Sequence, residues 1–170
     1  MNPVLANWNA MESGEAAAAV LPCCGSKRWA AILAGSRPVT EEAALLRCAE
    51  EVWWRLNETD WQEAFAIHPR IGDRKVPEKA SEQSAVWSSS EQRGVADEDP
   101  SVLAALAEGN RRYEERFGRI YIVCANGKNG REMLDILNRR LANDEETELR
   151  EAAEQQRQIT VLRLRKWLNE

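Results

Sequence analysis

Histidine occurs once in this sequence, at His68, and tyrosine and phenylalanine occur only twice each. A single imidazole cannot complete a Cys₂His₂ set. The four cysteines (Cys23, Cys24, Cys48 and Cys124) show no CxxC pairing, so no zinc site is expected and the metal set is read as empty. Adjacent Cys23 and Cys24 are poorly placed to bond each other, and reduced cysteines in a cytoplasmic protein are the expectation. No apolar run approaches the roughly 20 residues that cross a bilayer. The opening "MNPVLANWNA" lacks the basic-then-hydrophobic order of a signal peptide. The net charge of −5 and the absence of any basic stretch free of interleaved acids exclude a nucleic-acid surface and a polybasic membrane patch.

Strand signals are scarce too. Nearly every segment carries the helical period, and the expected architecture is an all-α, irregular, single-domain bundle over residues 1–170. Thr40 is expected to cap a helix bearing Glu41 and Glu42 in its first turn, with Leu45, Ala49, Val52 and Leu56 on its inner face. Thr59 or Asp60 is expected to open a second helix. That helix must stop near Pro69, because the residue before a proline avoids helical geometry. The stop leaves His68 at a helix end, where backbone groups are free and a ligand can approach. Residues 72–84 read as a polar surface loop, "WSSSEQRGVA" as a helix start weakened by Gly94, and Pro100 onward as a long helix closed by Gly118. "RIYIVCA" is the one strand-like run, and it has no neighbour with which to form a sheet. Two more helices follow, the last being the longest.

Polar residues in core positions are the functional candidates. On the last helix Leu149, Ala152, Ala153, Gln156, Ile159, Thr160 and Trp167 share a face, and Arg163 falls in the middle of it. An inward guanidinium needs an anionic partner. It is either a structural ion pair with an acid on a neighbouring helix or a planar fork for a substrate carboxylate. Ser88-x-x-Glu91 reads either as a capping box or, with Gln92, as a patch of hydroxyl, carboxylate and amide suited to a small polar ring. His68 is either a structural histidine or the group best poised to move protons near neutral pH.

The segments "LPCCGSKRWAAILAGSRPV", "DWQEAFAIHPRIGD", "WSSSEQRGVA", "NRRYEERFGRIYIVCANGK" and "ITVLRLRKWL" together resemble the 2-oxo-4-hydroxy-4-carboxy-5-ureidoimidazoline (OHCU) decarboxylases of urate degradation. The combination of HPRIG, SxxEQ and YxxxFG carries the resemblance. It implies an all-helical fold, a homodimer, and decarboxylation to (S)-allantoin without metal or organic cofactor. It implies that His68 is the proton donor, and that Glu91 and Arg163 bind and polarise the substrate. Pro69, Ser88, Gln92 and the stretch Tyr121, Ile122, Val123, Cys124 and Ala125 match positions that hold the ring. The sequence departs from the family at Val39 and Arg119, where aromatics are usual. Glu-Gln also occurs at 82–83, but Trp87, Ser88 and Gly94 favour Glu91 and Gln92. Two other functions stay open: a non-catalytic helical interaction module presenting "VWW" at 52–54, and ring hydrolysis, for which no nucleophile or metal set is visible.

Overall fold

A computed structural model describes residues 1–170. Its regular elements are all helical: α1 (Pro3–Ala10), α2 (Ser13–Cys24), α3 (Lys27–Gly35), α4 (Glu42–Arg55), α5 (Glu58–Phe65), α6 (Glu82–Glu91), α7 (Pro100–Phe117), α8 (Gly130–Arg140) and α9 (Glu145–Trp167), with a 3₁₀ turn over Arg93–Val95. The chain packs as two compact units. One comprises Met1–Ala64 with Arg157–Glu170, the other Phe65–Gln156.

The first unit buries tryptophan around satisfied indoles. Trp8 donates to the Ala16 carbonyl at 2.8 Å, Trp29 to Ala49 at 3.0 Å and Trp61 to Trp53 at 3.1 Å. Each ring therefore removes a large apolar surface from water without stranding its N–H. Arg37 gathers the free carbonyls at the end of α1, donating to Trp8 at 2.8 Å and Met11 at 2.7 Å. The departure at Val39 is a packing position: the side chain is buried and the backbone is bonded in both directions by Asn9. Within "VWW", Val52 and Trp53 are core residues. Trp54 is half exposed and packs edge-on against Trp61, so a single ring of the segment faces outward.

Three helix starts differ from expectation. Helix α4 begins at Glu42, with Glu41 rather than Thr40 at the N-cap and no side-chain cap. At α5 the acceptor is Asn57, which takes the Asp60 N–H at 3.0 Å. Helix α6 starts six residues before Ser88. Ser81 accepts the Ser84 N–H at 3.1 Å, so Ser88 and Glu91 lie in the final turns and the capping-box reading fails. The serine three residues before Ser84 takes that role, and the expected 72–84 loop is shorter by its last three residues. Helix α7 follows expectation, with Asp99 capping, Pro100 in the first turn and Gly118 closing it at φ 68°.

In the second unit Val102, Leu106, Tyr113, Phe117, Met133 and Leu137 form one core with Tyr121, Val123 and Ala125 of the stretch 119–125. That stretch is largely buried and belongs to no helix or sheet, so its polar backbone groups need other partners. Three of them are met by side chains. Arg140 donates to the Ile122 carbonyl at 2.5 Å, Gln155 accepts the Cys124 N–H at 2.9 Å, and Lys128 donates to the Cys124 carbonyl at 2.8 Å. The second departure, Arg119, is buried against the Phe117 ring, and its Nη1 donates to Glu145 at 2.7 Å.

Arg140 is 2% exposed, and its charge is met by Glu148, itself fully buried, at 2.5 and 2.9 Å. The Tyr113 hydroxyl donates to the same carboxylate at 2.5 Å, and Asn143 to its other oxygen at 3.0 Å. Burial pushes the Tyr113 phenol well above its ordinary range, and the hydrogen bond to Glu148 adds to that. Sequence reasoning missed this pair because it placed Leu149, not Glu148, on the inner face of α9. Removing one member of a buried ion pair strands the other. Arg140→Met should therefore cost about 3–5 kcal/mol, read as a lowered urea midpoint. An unchanged midpoint would show that the pair contributes nothing to stability.

Candidate active site

Helix α5 ends at Phe65, and the His68 N–H bonds back to the Phe65 carbonyl at 3.2 Å as the chain turns into Pro69. The imidazole is buried, 8% exposed, and its Nε2 lies 2.6 Å from Oε1 of Gln156. Beyond Pro69 the chain turns again at Gly72, whose φ of 84° suits a residue without a Cβ. The Gly72 N–H is accepted by Oε1 of Gln92 at 3.1 Å. This bond ties the loop that follows His68 to the end of α6, where Glu91 is buried with 8% exposure and Ser88 with 4%.

Between that loop and α6 lies a cavity of about 440 Å³, open at one side. Pro69, Ser88 and Gln92 line it together. His68 and Glu91 each directly precede a wall residue without lining the cavity themselves. Arg74 and Lys75 also line it, with Asp73 beside them. From the sequence alone they belong to a polar surface loop. Two cations on the wall suit an anionic occupant.

The stretch 121–125 does not line this cavity. The Tyr121 hydroxyl donates to the Met133 carbonyl at 3.0 Å, its ring packs against Tyr113, and burial pushes its phenol up. The carbonyls of Ile122, Cys124 and Ala125 and the N–H of Cys124 all have protein partners.

Arg163 belongs to the first unit, where it is wholly buried and donates to the Pro22 carbonyl at 3.2 Å. Its charge acts on two buried thiols. Burial pushes the Cys24 thiol up to about 12 and the Cys23 thiol higher still, with Arg163 opposing both. Neither supplies a thiolate nucleophile near neutral pH.

The family model for OHCU decarboxylase matches residues 9–165. The chain belongs to the OHCU decarboxylase family. The uric acid degradation bifunctional protein TTL of Arabidopsis thaliana is 39% identical over 158 residues, which are 92% of this chain and 48% of that protein. This chain thus spans about half the length of that curated relative. Among solved structures, the crystal structure of an OHCU decarboxylase in the presence of (S)-allantoin aligns with 94% of this chain and 100% of its own. Its TM-score is 0.77 and its identity 34%. The crystal structure of an (S)-allantoin synthase aligns with 96% of this chain and 53% of its own, at a TM-score of 0.71 and 15% identity, which is a likeness of fold.

In this family member the Gln92 bond to Gly72 sets the shape of the loop wall. Gln92→Leu should cost about 1 kcal/mol locally and accelerate hydrogen exchange at the Gly72 amide. Unchanged protection of that amide would show that the loop is held by other means.

Proposed function

We propose that this protein decarboxylates OHCU to (S)-allantoin as a step of urate degradation. The observation that carries the reading is the full-length match to an OHCU decarboxylase crystallised with (S)-allantoin. It is supported by a cavity of suitable size bearing Pro69, Ser88, Gln92 and two cations.

The substrate carries hydroxyl and carboxylate on one ring carbon and the ureido group on the next. As CO₂ leaves, the electron pair of the broken C–C bond passes into the neighbouring C=N unit, leaving an enol at the hydroxyl-bearing carbon. A proton on the ureido-bearing carbon and loss of the hydroxyl proton to ring nitrogen complete allantoin. His68, as general acid, supplies the one proton that the departing carboxylate did not carry. Arg163 offers its planar fork to the anionic oxygens, and Glu91 engages the substrate hydroxyl or ureido N–H. Ser88, Gln92 and backbone groups of 121–125 serve the remaining ring atoms. The backbone groups of Ile122, Cys124 and Ala125 that are bonded within the protein exchange or share those bonds when substrate enters. A homodimer belongs to the same reading through the resemblance. A cytoplasmic setting is supported by four cysteines that form no disulfide.

The test is CO₂ release from OHCU by purified protein and two variants. Wild type should accelerate release. His68→Ala should lower kcat by about 10²–10⁴-fold with the fold intact by far-UV circular dichroism. Arg163→Lys should lower kcat/KM sharply, because a point charge does not reproduce a bidentate fork. Wild type that leaves the spontaneous rate unchanged overturns the function, and full turnover by His68→Ala overturns the role of His68.

A further inference from the structure

Two consecutive residues of α9, Gln155 and Gln156, contact different parts of the proposed machinery. Gln156 is fully buried, and its Oε1 lies 2.6 Å from His68 Nε2. Gln155 accepts the Cys124 N–H at 2.9 Å while its own amide nitrogen donates to Glu151 one turn back at 3.0 Å. The bond to Glu151 fixes which end of the Gln155 amide faces Cys124, since the carboxylate takes the donor and leaves the carbonyl oxygen for the backbone N–H. At His68 the Gln156 amide oxygen accepts, so the contact favours the ring form that carries a proton on Nε2.

We propose that Gln156 is the positioning residue for His68: it accepts the Nε2–H and so fixes the orientation of the ring and the form it takes when neutral. This inference rests on the decarboxylase reading. A neutral amide holds the ring without the charge of a carboxylate, which would hold the imidazolium and weaken it as an acid. Gln155 plays a parallel part for the backbone of 121–125. Because the two glutamines are adjacent on one helix, a shift of α9 moves both contacts together.

His68 is the only histidine in the chain, so ¹⁵N labelling of histidine gives one imidazole signal set with no assignment needed. At a pH where the ring is neutral, its couplings to the two ring carbon-bound protons show which nitrogen bears hydrogen. Wild type should hold hydrogen on Nε2. Gln156→Met, which keeps the length and removes the acceptor, should give mixed forms. Gln156→Glu, which keeps an oxygen at the same place, should restore the Nε2–H form even if the other variant is poorly folded. In turnover, Gln156→Met should lower kcat at least about tenfold, within the span that acid–base groups supply, with KM changed little. Gln155→Met should act mainly on KM. Hydrogen on Nδ1 in wild type overturns the proposal. So does an unchanged ring form together with unchanged kcat in Gln156→Met. Wild type with the Nε2–H form but no CO₂ release would instead overturn the decarboxylase reading and leave the contact standing.

Discussion

A buried backbone segment outside any helix or sheet must find other partners for its N–H and C=O groups, and residues 119–125 put that demand in the middle of the second unit. Arg140 answers it at Ile122, but a guanidinium taken into the core needs an anion, and Glu148 on α9 provides one. Tyr113 and Asn143 then satisfy the rest of that carboxylate. Meeting the backbone demand therefore draws the first half of α9 against 119–125. Once Glu148 is held there, the helical repeat carries Gln155 and Gln156 two turns further along. Gln155 reaches the Cys124 N–H and Gln156 the imidazole of His68. The position of the lone histidine is thus linked, bond by bond, to the way one unpaired segment is satisfied.

The same chain explains why α9 carries so many polar groups on its buried side. Glu148, Gln156, Thr160 and Arg163 are all inside, and each costs free energy relative to an apolar residue unless it is bonded. In the second unit the partners are backbone groups and an imidazole. In the first, Arg163 donates to the Pro22 carbonyl at the end of α2, beside two thiols kept neutral by burial. A sequence that only needed to fold would reach the same packing with leucine at several of these places.

Much of this was legible in the residues. Periodicity marked the helices from α7 onward, Gly118 marked a left-handed stop, and Pro69 placed His68 at a helix end. The inward position of Arg163 followed from its spacing to Ile159 and Trp167. Helix starts were less legible, because Thr40, Asn57, Ser81 and Ser88 are all chemically able caps and tertiary packing chooses among them. That choice moved Ser88 and Glu91 from the start of α6 to its end. Gln156 was visible on the inner stripe, but its partner is 88 residues away and no local pattern announces it. Glu148 was missed because a helical wheel with a small error in phase exchanges it for Leu149. The cationic loop wall was missed because Arg74 and Lys75, in a polar stretch with a proline, look the same whether they face bulk solvent or a cavity.

Delivery of a proton by His68 to one face of the intermediate would leave a chiral product. Circular dichroism of that product, followed while OHCU generated in situ from urate by the two preceding enzymes is consumed, reads this directly. The protein should speed the appearance of optically active (S)-allantoin, and the His68→Ala variant should return the signal to the slow spontaneous course. Racemic allantoin formed at an accelerated rate would contradict one-sided protonation, and an unaltered slow decay would contradict decarboxylation itself.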